Sequence, residues 1–204
     1  LNHYGDITYV EPIGKKIKLE GKYSIQHATG SSRKFAFDNV NGEYDLLNNQ
    51  FSADFENLTI NHRAGARFIY ATKMQDIIIG ADVNNVSIES RDLLNDTTID
   101  QNQLNILPFL KYKYKFSRSK NLSFTYKTIV NNPSISQLQP LPDNRNINNI
   151  SVGNIDLQSE VNQSFDVNFF TYKATTGSHS YMGATYALIE NAFSQEIFYD
   201  AQGR

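Results

Sequence analysis

"FLKYKYKFSRSKNLSFTYKT", residues 109–128, sets apolar side chains against lysines in strict alternation. Leu110, Tyr112, Tyr114 and Phe116 oppose Lys111, Lys113 and Lys115; after "SRSKN", Leu122, Phe124 and Tyr126 oppose Ser123, Thr125 and Lys127. Successive side chains of a strand point to opposite faces, so this period of two predicts two strands joined by a short turn. The same pattern recurs outward along the chain. In "KKIKLEGKYSIQ" Ile17, Leu19, Gly21, Tyr23 and Ile25 share one face, and Lys16, Lys18, Glu20, Lys22, Ser24 and Gln26 the other. "HRAGARFIY" opposes Ala64, Ala66, Phe68 and Tyr70 to Arg63, Gly65 and Arg67. "DIIIGADVN" aligns Ile77, Ile79, Ala81 and Val83, and "SFDVNFF" aligns Phe165, Val167 and Phe169.

The connections alternate in length. "EPIGKK", "ATKMQ", "SRSKN" and "KATTGSHS" are short, whereas residues 27–53, 90–104 and 129–160 read as long loops. A soluble antiparallel sheet with one wet face is the competing reading. It gives no reason for every long loop to fall at one end of the strands. A transmembrane barrel does, with short periplasmic turns and long extracellular loops. Aromatics also gather beside the short turns: Phe68 and Tyr70, Tyr112 to Phe116, Phe169 to Tyr172, and Tyr181. Such rings suit the headgroup layer. The expected fold is therefore all-β: an antiparallel up-and-down transmembrane β-barrel segment of about eight meandering strands, counting a stub at residues 7–10. Residues 1–204 are expected to form a single partial barrel domain, truncated at both ends.

Composition narrows the function classes. The 204 residues carry a net charge of −2, which leaves no nucleic-acid footprint. Cysteine is absent, excluding disulfides and thiolate metal sites. No apolar run approaches the roughly 18 residues of a transmembrane helix, a test blind to barrels. No nucleophile elbow, zinc-protease pair or phosphate loop occurs. His3, His27, His62 and His179 are scattered without ligand spacing. No catalytic residue, cofactor or metal is expected.

The stretch "PSISQLQPLPDNRNINNISVGNIDLQSE", residues 133–160, resembles the element preceding a late strand in outer-membrane β-barrel proteins of the TonB-dependent-receptor type. The matching positions are Pro133, Ser134, Leu138, Gly153, Asn154, Leu157 and Glu160; Ile155 and Ser159 stand where that family usually has proline. "LNILPFLKYKYKFSRSKNLSFTYKT", "YVEPIGKKIKLEGKYS" and "GEYDLLNNQFSADFENLTINHRAG" are similar to its strand-turn-strand, periplasmic-turn and loop-strand elements, so the resemblance covers nearly the whole chain. It implies uptake of a nutrient across the outer membrane of a Gram-negative bacterium. The implied partners are outer-membrane lipid, a plug domain of the same parent chain, TonB through segments outside this chain, and a surface lipoprotein. Nucleic acid is not among them. A non-transporting barrel serving as an anchor or adhesion platform is the alternative.

Two sets of candidate residues follow. Charge facing lipid at the midplane costs about 2–4 kcal/mol. Lys18, Lys22, Arg63, Arg67, Lys111, Lys113 and Lys127 are therefore expected to face a lumen. The second set lies in the expected extracellular loop: Pro133, Leu138, Pro140, Asp143, Arg145, Gly153 and Asn154. Ile135, Leu138 and Leu141 would anchor that loop to the barrel wall or a plug, and Gly153 and Asn154 suit a turn with positive φ.

Overall fold

Turn chemistry pins the register of the sheet. The Thr72 hydroxyl accepts hydrogen bonds from the backbone of Met74 (3.3 Å) and Gln75 (3.0 Å), closing a three-residue connection. Gly177, at φ 68°, turns the chain in another, a conformation costly for residues with a Cβ. In the computed structural model, which describes residues 1–142 and 151–197, such turns link a meander of long strands. These are β1 (Asn2–Pro12), β2 (Ile17–Lys34), β5 (Ala53–Ala71), β6 (Gln75–Asp92), β7 (Thr97–Ser117), β8 (Lys120–Asn131), β9 (Glu160–Lys173) and β10 (Ser178–Glu190). All pair antiparallel in the order β1-β2-β5-β6-β7-β8-β9-β10. A separate hairpin, β3 (Phe37–Val40) and β4 (Glu43–Leu47), fills the β2–β5 connection. It turns on Asn41-Gly42, at φ 55° and 93°, the Asn-Gly signature of a tight hairpin.

The four short connections share one end of the sheet, as the loop pattern predicts. Backbone bonds join them side by side: Ala71 N–H to Lys16 O (2.9 Å), Lys115 N–H to Met74 O (2.7 Å), Tyr172 N–H to Ser119 O (2.8 Å). The other end differs from expectation. Residues 90–104 are not a long loop; β6 runs to Asp92, the chain turns within 93–96, and β7 starts at Thr97. The buried Asp92 carboxylate closes that turn, accepting from the backbone of Asp54 (3.2 Å), Leu94 (3.0 Å) and Asn95 (3.4 Å) and from the Asn95 side chain (2.7 Å). Asp96 supplies the positive φ of 49° without glycine. The stub at 7–10 is also corrected: β1 pairs with β2 along its full length, from Asn2↔Ala28 to Pro12↔Lys18.

One face of the sheet is apolar and open. Register aligns Leu19, Phe68, Ile79, Leu110, Tyr126 and Phe165 across six strands. Ile106 and Met182, on this face, remain 67% and 65% exposed. The opposite face is polar and enclosed, with Asp82 3% and Asn84 2% exposed. A water-soluble sheet buries its apolar face, so this arrangement is inverted. Beyond Ile60 and Val83 the pattern reverses. The open face turns polar at Ser31, Glu56, Glu89 and Asp100, and the enclosed face buries Ala53, Phe55, Val86 and Ile88. The strands thus have an apolar-outside half next to the short turns and a water-adapted half beyond it.

Candidate functional site

The enclosed face gathers its charges around Asp82. Its carboxylate accepts from Lys22 Nζ (2.8 Å) and from Arg63 Nε (3.0 Å) and Nη2 (2.6 Å), with Arg67 Nη2 at 3.9 Å. Arg67 also reaches Glu20 (3.5 Å) and lies 4.9 Å over the Phe109 ring. Strand pairing explains the convergence. Lys22 and Asp82 flank Gly65, and Arg67 flanks Gly80. A Cβ at Gly65 would collide with the Asp82 carboxylate, and one at Gly80 with the Ala66 carbonyl and the Arg67 side chain. Both glycines make room for long side chains to lie flat. Gly21, on the open face, has nothing within 4 Å of its Cβ position.

One step along the strands from Asp82 lies a polar cavity of about 210 Å³. Tyr4, Ser24, Gln26, Asn61, Arg63 and Asn84 line it, together with Val130 and Asn132. Tyr4 belongs to β1 and Val130 to β8, far apart in the sheet order. Their shared cavity shows that the sheet curls toward its polar face. Asn61 Oδ1, Asn84 Nδ2 and Asn105 Nδ2 are buried and take no partner among the described residues.

Past the cavity, the chain between β8 and β9 folds back onto the enclosed face. A short helix, α1 (Ile135–Leu138), brings Leu138, 1% exposed, against Val86 and Ile88, with Ile135 and Leu157 beside it. Polar clips fasten the segment: Gln103 Nε2 to Leu157 O (3.1 Å), Ser159 N–H to Gln103 Oε1 (2.7 Å), Gln139 Nε2 to Ser90 Oγ (3.3 Å) and Lys34 Nζ to Pro142 O (2.9 Å). It covers the upper half of β7, which β8 leaves unpaired beyond Phe109. Pro108, with no N–H to donate, falls where that pairing stops.

The structure places Lys18, Lys22, Arg63, Arg67, Lys111, Lys113 and Lys127 on the enclosed face by register. Only Lys22, Arg63 and Arg67 join the Asp82 cluster; the other four make no ion pair among the described residues. In the folded-back segment Pro133 and Leu138 are buried, while Pro140 and Asn154 are exposed. Asp143 and Arg145 lie outside the described residues. Gly153 does not adopt positive φ, contrary to the turn expected there. It is needed for close approach instead. Its N–H donates to Gln139 O (3.1 Å), Asn154 N–H donates to Gln137 O (2.7 Å), and a Cβ at Gly153 would strike both carbonyls. Leu141 takes no part in the buried cluster.

Sequence reasoning missed Asp82, Asn84 and the glutamine clips. Asp82 was legible as the opposite face of "DIIIGADVN"; its partners were not, since register depends on pairing. Three of the four histidines also gather. His3 and His27 are paired across β1 and β2, with ring centroids 6.4 Å apart, and His62 Nδ1 is 2.8 Å from the Tyr23 hydroxyl on the same open face. They border the apolar band where it turns polar.

A family model described as an outer membrane protein beta-barrel family matches residues 2–204. No curated protein matches the sequence.

Proposed function

Since this chain belongs to the outer membrane protein β-barrel family, and so to a barrel wall in the bacterial outer membrane, we propose that its enclosed face lines a passage for nutrient uptake of the TonB-dependent type. The open apolar face meets lipid, and the curled polar face encloses water. The observation that carries the reading is the build-up of lysine and arginine on the enclosed face at the level of the apolar band. A wall that only anchored the protein would gain nothing from so many cations on its wet side, three of which, Lys18, Lys111 and Lys127, stand exposed and without an ion pair among the described residues. The segment folded back by Leu138 narrows the far end of this passage, where an incoming solute would first meet the protein. A plug in the same parent chain and TonB below it would gate the passage.

The experiment is a double variant in the full-length parent. Lys111→Glu with Lys113→Glu reverses charge on the passage wall and leaves the lipid face and the strand register intact. Uptake-dependent growth on a limiting nutrient is expected to fall while the barrel still assembles and resists denaturation in detergent. Normal growth with the variant barrel as the sole copy contradicts uptake through this face and favours the anchor or adhesion reading.

A further inference from the structure

We infer that the cavity beside Asp82 is a binding site for a small oxyanion, a carboxylate or a phosphate. Three observations converge on it. The first is charge. Lys22, Arg63 and Arg67 bring three cations, against the two carboxylates of Asp82 and Glu20. The cluster therefore keeps one positive charge after every ion pair is formed, and Arg63, which belongs to it, also lines the cavity. The second is the set of buried amides. Asn84, 2% exposed, lines the cavity with its Nδ2 donor unpartnered among the described residues. Asn105, opposite it across β6 and β7 but outside the cavity lining, also has an unpartnered Nδ2. A buried donor without an acceptor is unfavourable until a ligand or water supplies one. The third is size: about 210 Å³ is room enough for a small acid.

The cavity wall thus holds one buried unpartnered donor, Asn84 Nδ2, and one buried unpartnered acceptor, Asn61 Oδ1, which an amide flip exchanges for a second donor beside a cluster that keeps a positive charge. Arg63 spends Nε and Nη2 on Asp82, and its Nη1 makes no hydrogen bond among the described residues. An oxyanion would take Arg63 Nη1 and the Asn84 amide as donors, and a flip of the Asn61 amide would turn its NH₂ toward it in place of the unpartnered Oδ1. A neutral ligand would satisfy the amides and leave the charge unbalanced. A cation would face Arg63 directly. Asp82 then acts as an internal competitor, holding Arg63 in place while limiting how tightly the exogenous anion binds. Anion binding to the purified barrel is independent of whether the protein transports anything.

The test uses the full-length protein in detergent, titrated with inorganic phosphate and, separately, with acetate at constant ionic strength, with binding read by calorimetry. Saturable binding of at least one is expected, and the preferred probe distinguishes phosphate from carboxylate chemistry. Asn84→Asp keeps the side-chain shape and adds a negative charge to the cavity; it is expected to weaken binding at least ten-fold. Asp82→Asn removes the competing carboxylate and is expected to tighten binding several-fold, a gain that a purely structural role for Asp82 would not produce. If Asp82→Asn does not assemble, Asn84→Asp decides alone. Absence of saturable binding to the wild-type protein, or Asn84→Asp binding as well as wild type, overturns the site.

Discussion

Removing the Leu138 side chain should release the folded-back segment and leave the barrel standing. Leu138 is 1% exposed and forms a buried cluster with Val86 and Ile88 among the described residues, with Ile135 and Leu157 at the margin. Leu→Ala at fully buried sites costs about 2–5 kcal/mol, more where the surroundings cannot collapse into the space left. Here one wall of the cluster is a short helix on a loop, which can settle, so the lower part of that range applies. A loss of about 2–3 kcal/mol raises the population of the undocked segment roughly 30- to 150-fold. The strands keep their ladders, so global unfolding is expected to move little. Hydrogen exchange reads this directly. The Gly153 and Asn154 amides donate to the Gln139 and Gln137 carbonyls of α1 and its end, whereas the amides of β6 and β7 belong to the ladder. In Leu138→Ala of the full-length protein, exchange at Gly153, Asn154 and Ser159 should accelerate by that factor while β6 amides stay unchanged. Unchanged protection at these three would refute the assignment of Leu138 as the anchor. Equal acceleration throughout β6 would show that the segment and the wall are one cooperative unit.

Gly65→Ala pushes a methyl group into the Asp82 carboxylate and should cost about 1–3 kcal/mol in folding stability, whereas Gly21→Ala, with open space on the lipid side, should be neutral; urea unfolding in lipid vesicles compares them. Burial works against the Asp92 carboxylate, but the Asn95 side chain and the backbone N–H groups of Asp54, Leu94 and Asn95 hold its pKa below the ordinary aspartate value. Its contribution to the 93–96 turn is therefore complete above about pH 4 and lost as pH falls through the lowered folded-state value. Exchange at the Leu94 amide should rise with acid in that window, and Asp92→Asn should abolish the acid dependence. Lys115→Met should remove the ion pair to Asp76 (2.6 Å), which is partly exposed beside the short turns, and change stability by less than about 1 kcal/mol in thermal melts.

The strand halves next to the short turns were legible because their two faces differ sharply in chemistry. Tyr112 against Lys113 and Phe68 against Arg67 leave only one register that keeps charge out of lipid. The far halves were not legible, because both their faces can be polar. "SRDLLNDTTIDQNQ" carries Glu89 and Asp100 nearby on the open side and Ser90, Asp92 and Gln103 on the enclosed side, so no alternation survives and the stretch reads as a loop. The turn there uses Asp96 where a glycine would have announced it. The folded-back segment was readable in part. Its prolines and leucines announced a tethered loop, and Leu138 is its anchor, but the receiving groove is made of Val86 and Ile88, which the sequence hides in a polar run. The Asp82 cluster could not be read as a cluster at all. Lys22, Arg63 and Asp82 come from three strands, and only the register set by the turns brings them to one carboxylate.

One face of this sheet meets lipid along half its length and water along the other half. Spin labels placed singly at Tyr112, Lys113 and Glu89 in the full-length protein, reconstituted in lipid vesicles, test it through collisions with oxygen, which partitions into lipid, and with a water-soluble nickel chelate. Tyr112 and Glu89 share the open face, and Lys113 lies on the other. Expected are high oxygen access at Tyr112, low oxygen access at Lys113, and high nickel access with low oxygen access at Glu89. Equal oxygen access at Tyr112 and Lys113, or a lipid-like signal at Glu89, would contradict it.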